Sequence, residues 1–128
     1  MKNKIILFLS LALFTYSCEN SSSKQYENKI YLESDKIDFG NIKNSKKVNF
    51  KLNIINGTNK LDSVIAISKS CGCTQVKQDR IILEPNSSKS LDLVYNPEKD
   101  SGKIKKTVIL RTSNETMLIY RFKAFVEK

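Results

Sequence analysis

Two cysteines one residue apart, in Ser70-Cys71-Gly72-Cys73-Thr74, are the place in this chain where unusual chemistry can sit. In an extended strand, residues i and i+2 share a face with Cα atoms roughly 6.6 Å apart, near the upper end of the ~4.4–6.8 Å that a disulfide spans. Gly72 lets the backbone bend and shorten that gap. A Cys71–Cys73 bridge is therefore feasible but strained, and the loop it closes is too small to add much entropic stability. Three uses compete. The pair can be small packing residues that fix a bend between two strands. It can be a thiol–disulfide switch, although the spacing is not Cys-x-x-Cys and no helix N-terminus is in prospect to lower a thiol pKa. It can also grip a soft ion such as copper(I) or zinc through two thiolates. The chain has no histidine, so a third metal ligand has to come from Met117, a carboxylate or a second molecule.

The missing histidine also removes serine–histidine and cysteine–histidine catalysis, a histidine zinc site and a histidine proton switch. No pair of carboxylates is spaced for general acid–base work. The expectation is a protein that is not an enzyme and needs no cofactor.

The third cysteine, Cys18, says where the protein resides. Lys2 and Lys4 precede an apolar run from Ile5 to Phe14, then Thr15-Tyr16-Ser17 places a small residue before the cysteine. This is the layout of a bacterial secretory signal, and its run of about ten residues is half of what a spanning helix requires. A cysteine in that position resembles a lipobox. The expectation is a signal peptide over 1–17, cleavage ahead of Cys18, and lipidation of that cysteine. Thr15 and Tyr16 depart from the usual Leu and Ala/Ser of such a box. Glu19 follows the cysteine where an aspartate would favour inner-membrane retention, which points to the outer membrane.

Charge agrees with an envelope setting. The formal net charge is +9, and its lysines are scattered instead of massed into a block with interleaved aromatics. An exported basic domain sits more naturally beside anionic lipid headgroups than on nucleic acid, and no nucleic-acid partner is expected. From Cys18 to Lys29 the chain is polar and small, with no periodic apolar residues, and reads as a flexible tether.

The elements that must position the cysteines begin at Ile30. Val48, Phe50, Leu52 and Ile54 alternate with polar residues, and Leu118, Tyr120, Phe122, Ala124 and Val126 do the same. Between them lie short β-branched or alternating runs at Ile37–Phe39, Leu61–Ile67, Arg80–Leu83, Leu91–Tyr95 and Lys105–Thr112. Turn signals separate them, among them Asn56-Gly57, Pro85-Asn86 and Asp100-Ser101-Gly102. No segment holds a helical stripe. About seven strands in a domain spanning 30–128 predict an all-β, immunoglobulin-like antiparallel β-sandwich. Val48–Ile54 and Met117–Val126 are its best-formed strands. The Asn-x-Ser/Thr triplets at Asn20, Asn56, Asn86 and Asn114 read as turns.

Several of these residues together resemble a known family. Phe39-Gly40, Asn56-Gly57 after Phe50-Lys51-Leu52, Ser70-Cys71-Gly72-Cys73-Thr74, Pro85-Asn86-Ser87-Ser88 and Gly102 are similar to the bacterial domain of unknown function numbered fifteen seventy-three, over about Lys36 to Val126. At Asn86 that family often has glycine. The resemblance implies an immunoglobulin-like sandwich related to the domains of pilus chaperones and the major sperm protein, often found in small envelope lipoproteins. The expected partners are of two kinds: the membrane, through lipidated Cys18, and another, unidentified envelope protein that adds a strand to an exposed sheet edge, as related chaperone folds do.

Overall fold

A computed structural model describes residues 27–128. The signal peptide at 1–17, Cys18 and the tether as far as residue 26 lie outside the described residues. Nine strands follow in order: β1 (Ile30–Leu32), β2 (Lys36–Lys43), β3 (Val48–Asn56), β4 (Asp62–Lys69), β5 (Thr74–Val76), β6 (Ile81–Leu83), β7 (Ser87–Tyr95), β8 (Gly102–Thr112) and β9 (Met117–Glu127). They form a four-stranded sheet, β1-β3-β7-β5, and a five-stranded sheet, β2-β9-β8-β4-β6. Among the described residues the strands pair with one another into these two sheets.

Period-two alternation builds the two layers. β9 alternates without a break, burying Leu118, Tyr120, Phe122, Ala124 and Val126 and exposing the residues between them. β3 does the same with Phe50, Leu52 and Ile54. Facing rings lock the layers together. Phe122 lies 5.1–5.6 Å, centroid to centroid, from Phe39, Phe50 and Tyr95, distances at which tilted aromatic pairs attract beyond their buried area.

Two details depart from the expected pattern. The two strands beyond the seven, β1 and β5, are three residues each, too short for alternation to show. One pairing is parallel: β2 runs beside β9, with Lys36 opposite Arg121 and Ile42 opposite Val126. The N-terminal segment serves both layers in turn, since β1 lies antiparallel to β3 before the chain crosses to β2. A register shift between Asp38 and Asn41 bends β2, and Gly40 takes φ +65° there, which glycine adopts without steric cost. At the Pro85-Asn86 turn the residue in the left-handed region is Asn86, with φ +49°. Asparagine is among the few non-glycine residues that tolerate it, so the turn forms without glycine.

Candidate functional site

The Cys-Gly-Cys segment is the crossing from the five-stranded to the four-stranded sheet. Ser70 holds its first end. The Ser70 amide donates to the Thr107 carbonyl at 3.0 Å, and the Thr107 amide donates to the Ser70 hydroxyl at 2.9 Å. The hydroxyl thus extends the β4–β8 ladder by one rung. At the second end the Asn96 amide donates to the Cys73 carbonyl at 2.8 Å, and Thr74, only 1% exposed, starts β5. Between these clamps Cys71 and Cys73 are joined by a disulfide with Cα atoms 5.2 Å apart. Both cysteines are half-buried, whereas Ser70 and Gly72 are exposed. A Cβ built on Gly72 meets nothing within 4 Å, so lack of space does not select glycine there.

The bridge borders a concavity of about 550 Å³ lined also by Asn96, Glu98, Asp100 and Lys106. Its polar wall is already satisfied. The Tyr95 hydroxyl donates to Asp100 Oδ2 at 2.6 Å, and Lys106 Nζ reaches both oxygens of the same carboxylate at 3.0 and 3.1 Å. Burial pushes the Asp100 carboxyl up, but the hydrogen bonds from Tyr95 and Lys106 more than offset it and hold the group below the usual carboxylate range. Burial, with Asp100 beside it, pushes the Tyr95 hydroxyl up. Lys106 is thus committed to Asp100, and Lys99 is the other cation of the lining. Among the described residues no group of three or more histidine, cysteine, aspartate or glutamate side chains could hold a metal ion. Met117 pairs with Arg111, five residues along β8 from Lys106, or roughly 16 Å from this wall. The geometry gathers Ser70, Cys71, Cys73 and Thr74 into one turn and does not bring Met117 to it.

What the turn does is end β4 and lift the chain away from it. β6 covers β4 only at Asp62, Ser63 and Val64, while β8 pairs with β4 as far as Lys69. Among the described residues no strand pairs with Ile65-Ala66-Ile67-Ser68-Lys69 on the side away from β8. Sequence reasoning placed Leu61–Ile67 in a strand but had no signal for which stretch of it would stay uncovered, because that depends on where β6 stops.

Asn56 is the residue whose role the sequence hid. It is fully buried. Its Nδ2 donates to the carbonyls of Lys60 and Leu83, at 2.8 and 2.9 Å, and its Oδ1 accepts from the Thr58 amide and hydroxyl at 3.0 and 2.7 Å. Beside it, a Cβ on Gly57 would lie 1.8 Å from the Glu27 carbonyl oxygen. Only glycine lets these backbones approach. The dipeptide holds the end of the sandwich at which the N-terminal segment enters.

Residues 30–126 match the family described as Protein of unknown function (DUF1573). The chain belongs to this family. No curated protein matches the sequence. Solved structures show how this DUF1573 sandwich relates to others. The ASH/PapD-like domain 7 of human CEP192 superimposes with a TM-score of 0.67 at 9% identity, over 79% of this chain and 87% of that one. A protein of unknown function from Porphyromonas gingivalis W83 gives 0.64 at 14%, over 83% of this chain and 51% of that one. The class 5 fimbriae chaperone CfaA gives 0.61 at 9%, over 78% and 57%. At these identities the likeness establishes the fold of this DUF1573 chain, an immunoglobulin-like, PapD-like β-sandwich, and nothing finer. In the last two comparisons the chain spans little more than half of the other protein.

Proposed function

We propose that this DUF1573 chain is a lipid-anchored binding module of the bacterial cell envelope, held in the outer membrane through Cys18, that takes a partner protein by strand addition. The observation that carries the reading is the uncovered stretch Ile65–Lys69 of β4. An open edge presents unpaired backbone N–H and C=O groups, which native proteins either protect or use. Protection is visible elsewhere: β2 carries lysines at both ends, and β1, β5 and β6 are three residues long, whereas β4, after a register shift between Val64 and Ala66, runs in steady register with β8 from Ala66 to Lys69. Ile65–Lys69 has an exposed isoleucine, two further apolar residues and a single charge. The Cys71–Cys73 turn has a structural role, keeping the chain from folding back over that edge. The leader ending at Cys18 supports the anchor.

Both halves have a direct test. The protein recovered from bacterial membranes is expected to carry the mass of a diacyl- or triacyl-cysteine N-terminus, and Cys18→Ser is expected to prevent it. A Cys18→Ser product of the same mass class, or an unlipidated parent, would overturn the anchor. Photo-crosslinking residues at Ile65 and Ser68 are expected to yield one shared envelope-protein product in cells, absent from the same residues at Ser88 and Ser90 of β7. Equal products from all four positions, or none, would overturn the edge.

A further inference from the structure

The two outer faces of this sandwich differ in chemistry. On the four-stranded sheet, the outward residues of β3 and its partner β7 form the rows Asn49 with Val94, Lys51 with Asp92, Asn53 with Ser90 and Ile55 with Ser88. The surface is small, polar and close to neutral. The five-stranded sheet is the opposite. Six large apolar side chains stand exposed among the described residues, and five of them, Ile65, Ile82, Met117, Ile119 and Phe125, lie on β4, β6 and β9 of that sheet.

Cations fill the space between. Register sets Lys103 beside Phe125, Lys105 beside Lys123, Arg111 beside Met117, and Lys36 beside Arg121. Of these six cations only Lys123 has a carboxylate partner among the described residues, Asp38 at 3.1 Å. The other carboxylate of the face, Glu127, accepts from the Asn41 amide at 2.8 Å. Like charges directly opposite each other on adjacent strands cost stability; the Lys36–Arg121 pair carries that cost with no carboxylate partner among the described residues, and in the Lys105–Lys123 pair Asp38 offsets only Lys123. Two open grooves run along this face, of about 540 and 780 Å³, and lysine lines both.

We infer that the outer face of the five-stranded sheet docks flat on an anionic lipid bilayer. Its unpaired lysines and arginines meet phosphate headgroups, and Ile119, Phe125 and Met117 enter the interface between them. Apolar side chains interleaved with unpaired cations are what interfacial binding uses: the cations draw the domain to the surface, and the apolar groups hold it there. The occupant follows from charge and from length. The face is cationic, and bacterial membranes present anionic headgroups. The inference rests for its setting on the lipid-anchored reading. If Cys18 is the anchor, the nine residues from Cys18 to residue 26 reach at most about 30 Å when fully extended, whereas the two sheets are only about 10 Å apart. That is enough chain to lay this face on the same bilayer and too little to carry the domain away from it. The Ile65–Lys69 edge then lies at the rim of the docked face, where a partner reaches it from the side.

The test uses residues 27–128, which hold both sheets and lack Cys18. This fragment is expected to co-sediment with phosphatidylglycerol–phosphatidylethanolamine vesicles at low salt and not with phosphatidylcholine vesicles, and to be released as salt rises. Lys105→Glu with Arg121→Glu is expected to weaken binding on the order of a hundredfold. Lys51→Glu with Lys77→Glu removes the same charge from outside this face and is expected to leave most of the binding. Ile119→Ser with Phe125→Ser is expected to weaken it on the order of tenfold or more. All six positions are exposed, and matching thermal unfolding of each variant confirms that it is folded. No vesicle binding, or equal loss from both charge variants, overturns the inference. Full binding by the Ile119/Phe125 variant overturns it too, since these side chains then do not enter the bilayer interface. Lipidated full-length protein whose fragment ignores the vesicles leaves the anchor standing and removes the docking face. Vesicle binding by the fragment of a chain that is never lipidated does the reverse.

Discussion

The bridge between Cys71 and Cys73 closes one of the smallest loops a disulfide can close, with the two residues separated by two in sequence. Chain-entropy reasoning gives such a loop only about 1.5 kcal/mol. Ser70 and Cys73 meanwhile hold both ends of the turn by backbone hydrogen bonds that do not depend on sulfur. Cys71→Ser with Cys73→Ser is therefore expected to remain folded and to lose about 1–2 kcal/mol in urea unfolding. Gly72→Ala is expected to change stability by less than about 1 kcal/mol, since its Cβ enters open space. A double serine variant that fails to fold, or a large loss from the alanine, would show that sulfur and glycine shape the sandwich beyond this turn.

Strand length separates much of what could be read in the sequence from what could not, although three-residue β6 was read from its apolar run ahead of Glu84-Pro85. β9 and β3 were legible because eleven and nine residues give alternation room to repeat. β1 and β5 were not, since three residues carry no period and their existence depends on a partner, β3 or β7, already being in place. The parallel pairing of β2 with β9 was illegible for the same reason: a strand's own sequence does not encode its neighbour's direction. At the candidate site, the cysteines and the possibility of their bridge could be read from spacing. The uncovered stretch of β4 and the four hydrogen bonds of Asn56 could not, because Asn-Gly signals a turn equally well whether the asparagine faces water or the core. The difference in length predicts a difference in dynamics. Amides of β3, β7, β8 and β9 are expected to exchange with solvent deuterium only through global unfolding, and those of β1, β5 and β6 through local opening that is orders of magnitude faster. Comparable protection in β5 and β3 would contradict this, and would mean that the disulfide turn stabilises the short edge strand more than its pairing does.

Across the domain, two partly buried carboxylates secure separate loops, and together they set how the fold responds to acid. Asp62 is 7% exposed, and its Oδ1 accepts from the amides of Ser63 and Ser113 at 2.6 and 3.1 Å and from the Ser113 hydroxyl. This ties the start of β4 to the turn after β8. Asp100 ties the loop after β7 to Tyr95 and Lys106. For both, burial raises the carboxyl pKa, but the donors around it outweigh burial and leave it below its ordinary value. Exposed Asp38 is lowered as well, first by the Gly40 amide and then by Lys123. A carboxyl depressed in the folded state binds its proton more readily once the chain unfolds. Its stabilisation is therefore complete above the unfolded value of about 3.9 and is lost as pH falls through the folded one. The chain has no histidine, so no side chain with an ordinary pKa between about 5 and 8 adds a second transition. The urea midpoint is thus expected to stay level from about pH 8 to about pH 5 and to fall steeply below about pH 4. Asp100→Asn is expected to lower the midpoint at neutral pH, where it removes the ion pair with Lys106, and to make the acid limb shallower, since one depressed carboxyl no longer takes up a proton on unfolding. A midpoint that declines between about pH 7 and 5, or an acid limb unchanged by Asp100→Asn, would mean that groups other than these carboxylates control the acid response.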